Sequence, residues 1–600
     1  MTDRIPVPVR SVGLKQDRQQ RSGFMVRLAR DSRGTTLAMM AALLLPLAAF
    51  CGCAIDTARL YVVKARLQQA CDAGVLAGRK SMTDVSLTNT TLDATATAQA
   101  QTFFNNNFRT GWFKTASASF TPSKTADAQV AGAASANVPM TIMTMFGFAT
   151  QQINVTCQAS YDIADTDVIF VLDTTGSMAC LPSDDDSTCN NYVGSAGATS
   201  YSRPADGTAS GNDSVAGYPG STAYYVPEKS GSRMAALRSA VMSFYDTMAS
   251  AADPSTHIRY GFVTYTSTVN AGKAITSISP SYMVGGSGSA NSQWGYQSRY
   301  QTGTWFGTPT WRYQQLNFDV RNYVAGNAVI DPSKTNGSTN RWAGCIEERA
   351  TTAGATSFSQ TALPPDLDPD LVPGSNIDTQ WRPMWPELFY ARNNYGSRAD
   401  ATSTGDSSSH PNVGGAASSL QQGFVSCGKP VARLKTMTRT QVSNFVNATD
   451  FRAIGGTYHD VGMIWGTRLI SPTGIFADDT AAWPARQAPN RVIVFLTDGD
   501  MSPNTGVYGM YGNEYYDRRV SNGDFTNLKA YHNARFLAEC SAAKARNIQV
   551  WTVQIDSSAT NEMKACATTT SQALFTTTGS GLSAAFTNIA KQVAMLRVSQ

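Results

Sequence analysis

Asp167–Ser177 reads DVIFVLDTTGS: five uninterrupted apolar residues stop at the carboxylate of Asp173, and hydroxyls follow at Thr174, Thr175 and Ser177. A run without polar alternation is expected of a strand buried on both faces, as in the middle of a parallel sheet. Arg491–Asp498, RVIVFLTD, repeats the plan and again ends on Asp, while IRYGFVTY (258–265) and IQVWTVQID (548–556) supply two further strands. Helical patterns fall between them. Met234, Leu237, Val241, Phe244 and Met248 step by three and four along one stripe, and Leu582, Phe586, Ile589, Val593 and Leu596 repeat it near the C-terminus. Strands alternating with amphipathic helices predict an α/β fold with an open, doubly wound, mostly parallel sheet, whose ligands bind at the carboxyl ends of the strands.

At such an end, Asp173, Thr175 and Ser177 fit the spacing D-x-[ST]-x-S and can aim one carboxylate and two hydroxyls at a point. Thr and Ser after a strand also serve as caps of the next helix. Two other segments reach the same edge: Thr497-Asp498-Gly499 ends the second central strand, and Gly455-Gly456-Thr457 precedes the short helical pattern VGMIWGTRLI (461–470). Hard oxygen donors of this kind suit Mg²⁺, Mn²⁺ or Ca²⁺ and not a thiophilic metal. Catalytic patterns are missing. His459 invites a pairing with Ser177, but no G-x-S-x-G elbow accompanies it, and His257, His410, His459 and His532 form no H-E-x-x-H. Gly176 belongs to no phosphate-binding G-x-x-x-x-G-K-[ST] loop, so no enzyme is expected. Asp184-Asp185-Asp186 lack an EF-hand pattern and read as a solvated acidic loop.

The chain has 600 residues, enough for several domains, and a net charge of +5 from 48 Lys+Arg and 43 Asp+Glu. Residues 1–34 hold eight basic and three acidic side chains, the entire surplus. The neutral remainder argues against a nucleic-acid partner, which requires a basic face on the folded body. Thr35–Ile55 follows, 21 residues without a charge, the length of a membrane-crossing helix. A cleaved signal peptide has a shorter apolar core. Basic residues ahead of the span place the N-terminus in the cytoplasm and residues 56–600 across the membrane. Asp56–Arg79 keeps a helical pattern, so one long helix should leave the bilayer.

These features divide the chain into a basic segment (1–34), a membrane helix with its extension (35–80), a small α/β or β stalk (81–164) and the sheet domain (165–600). In the stalk, Ala116–Phe120 and Ala128–Val138 alternate like strands with one buried face. Insertions at about 179–230 and 271–430 interrupt the sheet domain; they are rich in Gly, Ser and Asn with little periodicity. The second carries Trp294, Tyr296, Tyr300, Trp305, Phe306, Trp311 and Tyr313, too aromatic for disorder and suited either to adhesion or to packing. Eight of ten cysteines lie beyond the apolar run, which suggests disulfides in an oxidising compartment. Eight allow 105 pairings. Location favours Cys180 with Cys189, Cys345 with Cys427 and Cys540 with Cys566, leaving Cys71 with Cys157. A zinc site lacks the C-x-x-C spacing.

Two resemblances follow. The apolar run with Pro46, then D-x-x-R (56–59) and LQQACDAGVLAG (67–78), is similar to the N-terminal segment of TadG-type proteins of tight-adherence (Flp) pilus systems. Related pseudopilins carry Glu five residues after a cleavage glycine; counted from Gly34 that position is Met39, so their processing signal is not carried over. Asp173, Thr175, Ser177, Thr457 and Asp498 together resemble the metal-ion-dependent adhesion site (MIDAS) of von Willebrand factor A (vWA) domains, with Thr175 in place of the more usual Ser. WAGCIE (342–347) and WGTRLISP (465–472) are similar to the A-domain part of TadG proteins. The resemblances imply a single-pass inner-membrane protein with periplasmic domains, whose vWA domain uses Mg²⁺ (or Ca²⁺ or Mn²⁺) to bind other pilus-assembly or envelope proteins. The alternative is a surface-exposed vWA adhesin for host or matrix ligands. Neither implies an oligomeric state.

Overall fold

A computed structural model describes residues 35–82, 91–125, 129–159, 165–204, 221–251, 256–392, 400–404, 427–484, 486–556 and 559–595. The basic segment 1–34, Ala128, His410 and Leu596 lie outside them. The chain divides into two compact units, Met1–Tyr161 and Asp162–Gln600.

In the first unit, α1 (Thr35–Ser81) runs unbroken for 47 residues through Pro46. Its first half is long and apolar enough to cross a membrane. Met39, Leu43, Leu47 and Phe50 stand exposed there, Phe50 by 77 %, a surface suited to hydrocarbon and costly in water. Beyond it the helix becomes one-sided: Val63, Leu67, Ala70 and Val75 are buried. They pack with α2 (Ala94–Asn107) and with an antiparallel meander of β1 (Ser117–Lys124), β2 (Val130–Pro139) and β3 (Thr150–Ala159). Asp93 caps α2, its Oδ1 accepting from the Ala96 amide at 2.8 Å. The disulfide Cys71–Cys157 joins α1 to β3.

The second unit is a mixed α/β domain. Its six-stranded sheet has the order β6-β5-β4-β7-β8-β9, where β4 is Thr166–Asp173, β5 Ile258–Tyr265, β6 Ala432–Lys435, β7 Asn490–Thr497, β8 Ile548–Ile555 and β9 Ala573–Thr576. All neighbours run parallel except β6, which pairs antiparallel with β5. The apolar runs become central strands because both faces are covered. Val168, Phe170 and Leu172 meet α3 (Arg233–Ala251), α4 (Arg439–Val446) and α7 (Gly579–Met595) on one side. Ile169 and Val171 meet α5 (His459–Ile470) and α6 (Leu528–Ala545) on the other. The described members of both stripes, Met234 to Met248 and Leu582 to Val593, are buried. From β4 the chain builds outward to β5 and β6, then returns to build β7 to β9 on the other side. The reversal leaves a crevice at the carboxyl ends of β4 and β7.

Every residue of α5 is buried. The helix is covered on all sides, by the sheet below and the 271–430 insertion above, and its buried polar members, His459, Asp460, Thr467 and Arg468, find hydrogen-bond partners. Gly462 sets the close approach: a Cβ there would lie 2.5 Å from Cδ1 of Tyr265 on β5.

The insertion corrects the reading of 271–430 as poor in periodicity. Gln293–Trp305 and Thr308–Asp319 form a long antiparallel hairpin, which Ala401–Thr404 extends by a third strand. Alternation is present, but aromatic, Gln, Ser and Thr side chains carry it where aliphatic ones would have been recognised. The aromatic cluster divides. Tyr296, Trp311 and Tyr313 are buried, with the Arg299 guanidinium 3.9 Å above Trp311 and 4.0 Å above Tyr390. Trp305 and Phe306 stand exposed at the hairpin tip, Phe306 by 93 %.

Disulfides join Cys180–Cys189, Cys345–Cys427 and Cys540–Cys566. The acidic loop inside the first is used locally: Asp184 pairs with Lys229 at 2.7 Å, and Asp185 caps the helix Asp186–Ala196.

Candidate metal centre

The crevice gathers all five residues singled out from sequence. β4 ends on Asp173, whose Oδ1 accepts from the Thr175 amide at 2.9 Å. That bond curls the chain so that the Thr175 and Ser177 hydroxyls lie side by side, 3.1 Å apart. Backbone bonds tie the glycine loop to this turn, from the Gly176 amide to Gly455 O (2.9 Å) and from the Ile454 amide to Thr174 O (2.7 Å). Thr457 is thereby placed with its hydroxyl donating to Thr175 Oγ1 at 3.4 Å. From β7, Asp498 accepts the Ser177 hydroxyl on Oδ1 at 2.9 Å. Thr457, Thr175, Ser177 and Asp498 thus form one chain of touching oxygens. It borders a cavity of about 570 Å³ lined also by Gly455, Gly456, Asn190 and Lys529.

Four further residues complete the arrangement, of which Tyr265 and Arg233 were not singled out in the sequence. The Thr497 hydroxyl donates to Asp173 Oδ2 at 2.9 Å, and the Tyr265 hydroxyl lies 3.3 Å from the same oxygen. His459 Nε2 lies 2.9 Å from Thr497 Oγ1, within hydrogen-bond distance. Burial pushes the imidazole down to about 3, so it is neutral. Ser177 bonds to Asp498 and not to this ring, which leaves no Ser–His pair. Arg233, at the start of α3, donates from Nη1 to Asp498 Oδ2 at 3.0 Å, and from Nη2 and Nε to Asp184 O and Leu181 O.

Charge decides what the crevice can hold. Asp173, Thr175 and Asp498 are buried, and the Arg233 guanidinium pairs with Asp498. Burial, with the Asp498 charge added, pushes the Asp173 carboxyl up to about 7. Burial raises Asp498 as well, against the pull of Arg233. Two buried acids beside three hydroxyl oxygens are the hard donor set that suits a divalent cation such as Mg²⁺ or Ca²⁺. Among the described residues no three His, Cys, Asp or Glu side chains cluster as metal ligands, so the candidate centre consists of two carboxylates and three hydroxyls.

The raised acid has a measurable consequence without metal. Between the ordinary carboxyl value of 3.8 and about 7, folded Asp173 keeps a proton that the unfolded chain has lost. Asp173 therefore lowers stability in chelator as pH rises from about 4 to about 7, while His459, held neutral by burial, acts in the opposite sense only below its ordinary value of 6.5. Glu347, raised to about 7, and Glu539, raised to about 8, both by burial, add to the same slope. A lower urea midpoint at pH 8 than at pH 5 is expected; an equal or higher one contradicts the burial argument.

Fold and site together define a protein with one candidate membrane-spanning helix and an open α/β domain with an oxygen-lined cleft at its strand ends. Residues 34–100 match the sequence model of the Tad family, the Flp pilus-assembly TadE/G-like proteins. No curated protein matches the chain. Among solved structures, the pilus adhesin SpaC from Lactobacillus rhamnosus GG is similar at 10% identity, over 78% of this chain and 33% of that one, with a TM-score of 0.27. The PilB minor pilin from Streptococcus sanguinis is similar at 11% identity, over 81% of this chain and 80% of that one, with a TM-score of 0.28. The chain spans about a third of the length of SpaC. At such TM-scores neither likeness places a residue. The Tad match, over residues 34–100, supports a pilus-related role.

Proposed function

We propose that the chain is a membrane-anchored component of a tight-adherence pilus assembly system, and that its vWA-type domain grips another envelope protein through a divalent cation. One observation carries the reading: Asp173, Thr175, Ser177, Thr457 and Asp498, spread over more than 320 residues of sequence, form one oxygen-lined site beside an open cavity. In this reading Thr175, Ser177, Thr457 and the two aspartates hold Mg²⁺, with Ca²⁺ and Mn²⁺ as substitutes, and the cation supplies a Lewis-acidic point for a partner's oxygen. The chain's own residues do the positioning. Thr497 and Tyr265 orient Asp173, while Arg233 holds the far oxygen of Asp498 and leaves Oδ1 turned to Ser177. α1 anchors the protein in the inner membrane, with the N-terminus cytoplasmic and residues 56–600 in the periplasm.

Crosslinking in cells followed by affinity capture tests the partner. Pilus components should be recovered with the wild-type chain in Mg²⁺ and lost with Asp498→Ala or with chelator. Recovery that survives both would make the cation, if bound, structural. Full-length chain found in the outer membrane or medium would favour the surface-adhesin alternative.

A further inference from the structure

In the first unit, the span and the folded body meet at Asp56 and Arg59, the D-x-x-R of the sequence. Asp56 is the first charged residue after the apolar run, yet it is buried. Its Oδ1 accepts from the Thr141 amide at 3.1 Å, and its Oδ2 from the amides of Ile142 and Met143 at 3.0 and 2.9 Å. Arg59, one turn on, donates to Phe113 O from Nε (2.9 Å) and Nη2 (2.6 Å), and from Nη1 to Pro139 O at 2.8 Å. One turn inside the uncharged run, a Cβ on Gly52 would lie 2.5 Å from Ile142 Cγ2. The loop after β2 therefore sits against α1 where the hydrocarbon-length segment ends.

What these two loops present is apolar. Trp112, Phe113, Met145, Phe146 and Phe148 are exposed, Met145 by 84 % and Phe148 by 62 %. Residues 140–150 carry no charge. Phe113 and Lys114 also adopt φ of 53° and 58°, a left-handed conformation costly for side-chain-bearing residues. The Arg59 bonds to Phe113 O hold that strained turn, which keeps the Phe113 ring outward. In water, five exposed apolar side chains beside an exposed apolar helix would promote aggregation. At the headgroup level of a bilayer, Trp and Phe are favoured, and Lys114 can reach anionic phosphates.

We propose that the loops 111–114 and 140–149 form an apolar collar that lies in the headgroup–acyl boundary of the bilayer crossed by α1, with Asp56 and Arg59 as its clamps. The collar seats the first unit on the membrane surface, with its side chains immersed by roughly 5–10 Å, the depth of interfacial elements. A protein pocket is the competing occupant; continuity of the collar with the span favours lipid. The proposal rests on Thr35–Ile55 being the membrane span.

The test uses the full chain in vesicles of phosphatidylethanolamine and phosphatidylglycerol. Cys51 and Cys53, the free cysteines among the described residues, are first changed to Ala. Nitroxides placed at Met145→Cys and Phe148→Cys are expected to collide more with oxygen than with a water-soluble nickel chelate, as does one at Leu44→Cys. A label at Asn154→Cys, six residues along β3 from Phe148, should show the reverse. Adding Asp56→Ala should turn the label at 148 toward nickel and leave that at 154 unchanged. Labels at 145 and 148 as water-exposed as that at 154 overturn the proposal while Leu44 in lipid preserves the span. Leu44 in water overturns both. Protection at 145 and 148 that vanishes when lipid is raised tenfold over protein assigns the surface to a second copy of the chain and overturns the bilayer.

Discussion

Asp173→Asn is expected to abolish the stabilisation that Mg²⁺ confers, while leaving the metal-free protein as stable as wild type at pH 8 or more so. The amide keeps an oxygen to accept from the Thr175 amide, so the turn after β4 survives. What disappears is a buried negative charge whose cost is visible in the carboxyl's rise to about 7. With metal the balance inverts. A ligand that binds only the folded state stabilises it by about 2.7 kcal/mol at a hundred times its Kd; the variant should lose nearly all of that gain. Thermal unfolding of the second unit in chelator and in 5 mM Mg²⁺, roughly a saturating concentration for such sites, reads both effects. An equal Mg²⁺ shift in wild type and variant contradicts the assignment, as does a variant much less stable than wild type in chelator.

The second large effect belongs to the fold that carries the site. Arg468 on α5 is buried, its Nη1 donating to Glu348 Oε2 at 2.6 Å and its Nη2 to Asp366 O. Both acceptors belong to the insertion, so this one side chain joins the insertion to the helix whose N-terminus follows Thr457. Burial pushes the Glu348 carboxyl up, but Arg468 and Arg349 outweigh that and hold it below its ordinary range. Arg468→Leu would leave the acid buried with one partner fewer, which typically costs about 3–5 kcal/mol. Arg321→Ala serves as control. Its pair with Asp319 at 2.5 Å is largely exposed, and exposed pairs contribute at most about 1 kcal/mol. Urea midpoints measure both; a loss in Arg468→Leu no larger than in the control would show that the insertion is not held by this pair.

The central strands and the turn after β4 were legible because their signals are local. An apolar run that ends in Asp, with hydroxyls two and four residues on, marks β4 and its turn without knowledge of anything distant. Arg233 was not legible, since its partner lies 265 residues away. A signal existed nonetheless: Arg233 stands four residues before Leu237, in line with the apolar stripe of α3, where a charge needs a buried partner. The hairpin at 293–319 was missed because its alternation uses aromatic and amide side chains. Its buried rings lean on Arg299 as much as on one another, a contact that hydropathy cannot rank. The D-x-x-R of α1 was visible as a motif, but its work, clamping loops 54 to 87 residues downstream, depends on chain reversals that no spacing encodes.

Direct titration of Mn²⁺ into the full chain, with free ion followed by electron paramagnetic resonance, tests the central claim most simply. One Mn²⁺ should bind per wild-type chain, be displaced by Mg²⁺, and fail to bind Asp498→Ala. Wild-type protein that leaves all Mn²⁺ free, or a variant that binds it equally well, would contradict the metal centre.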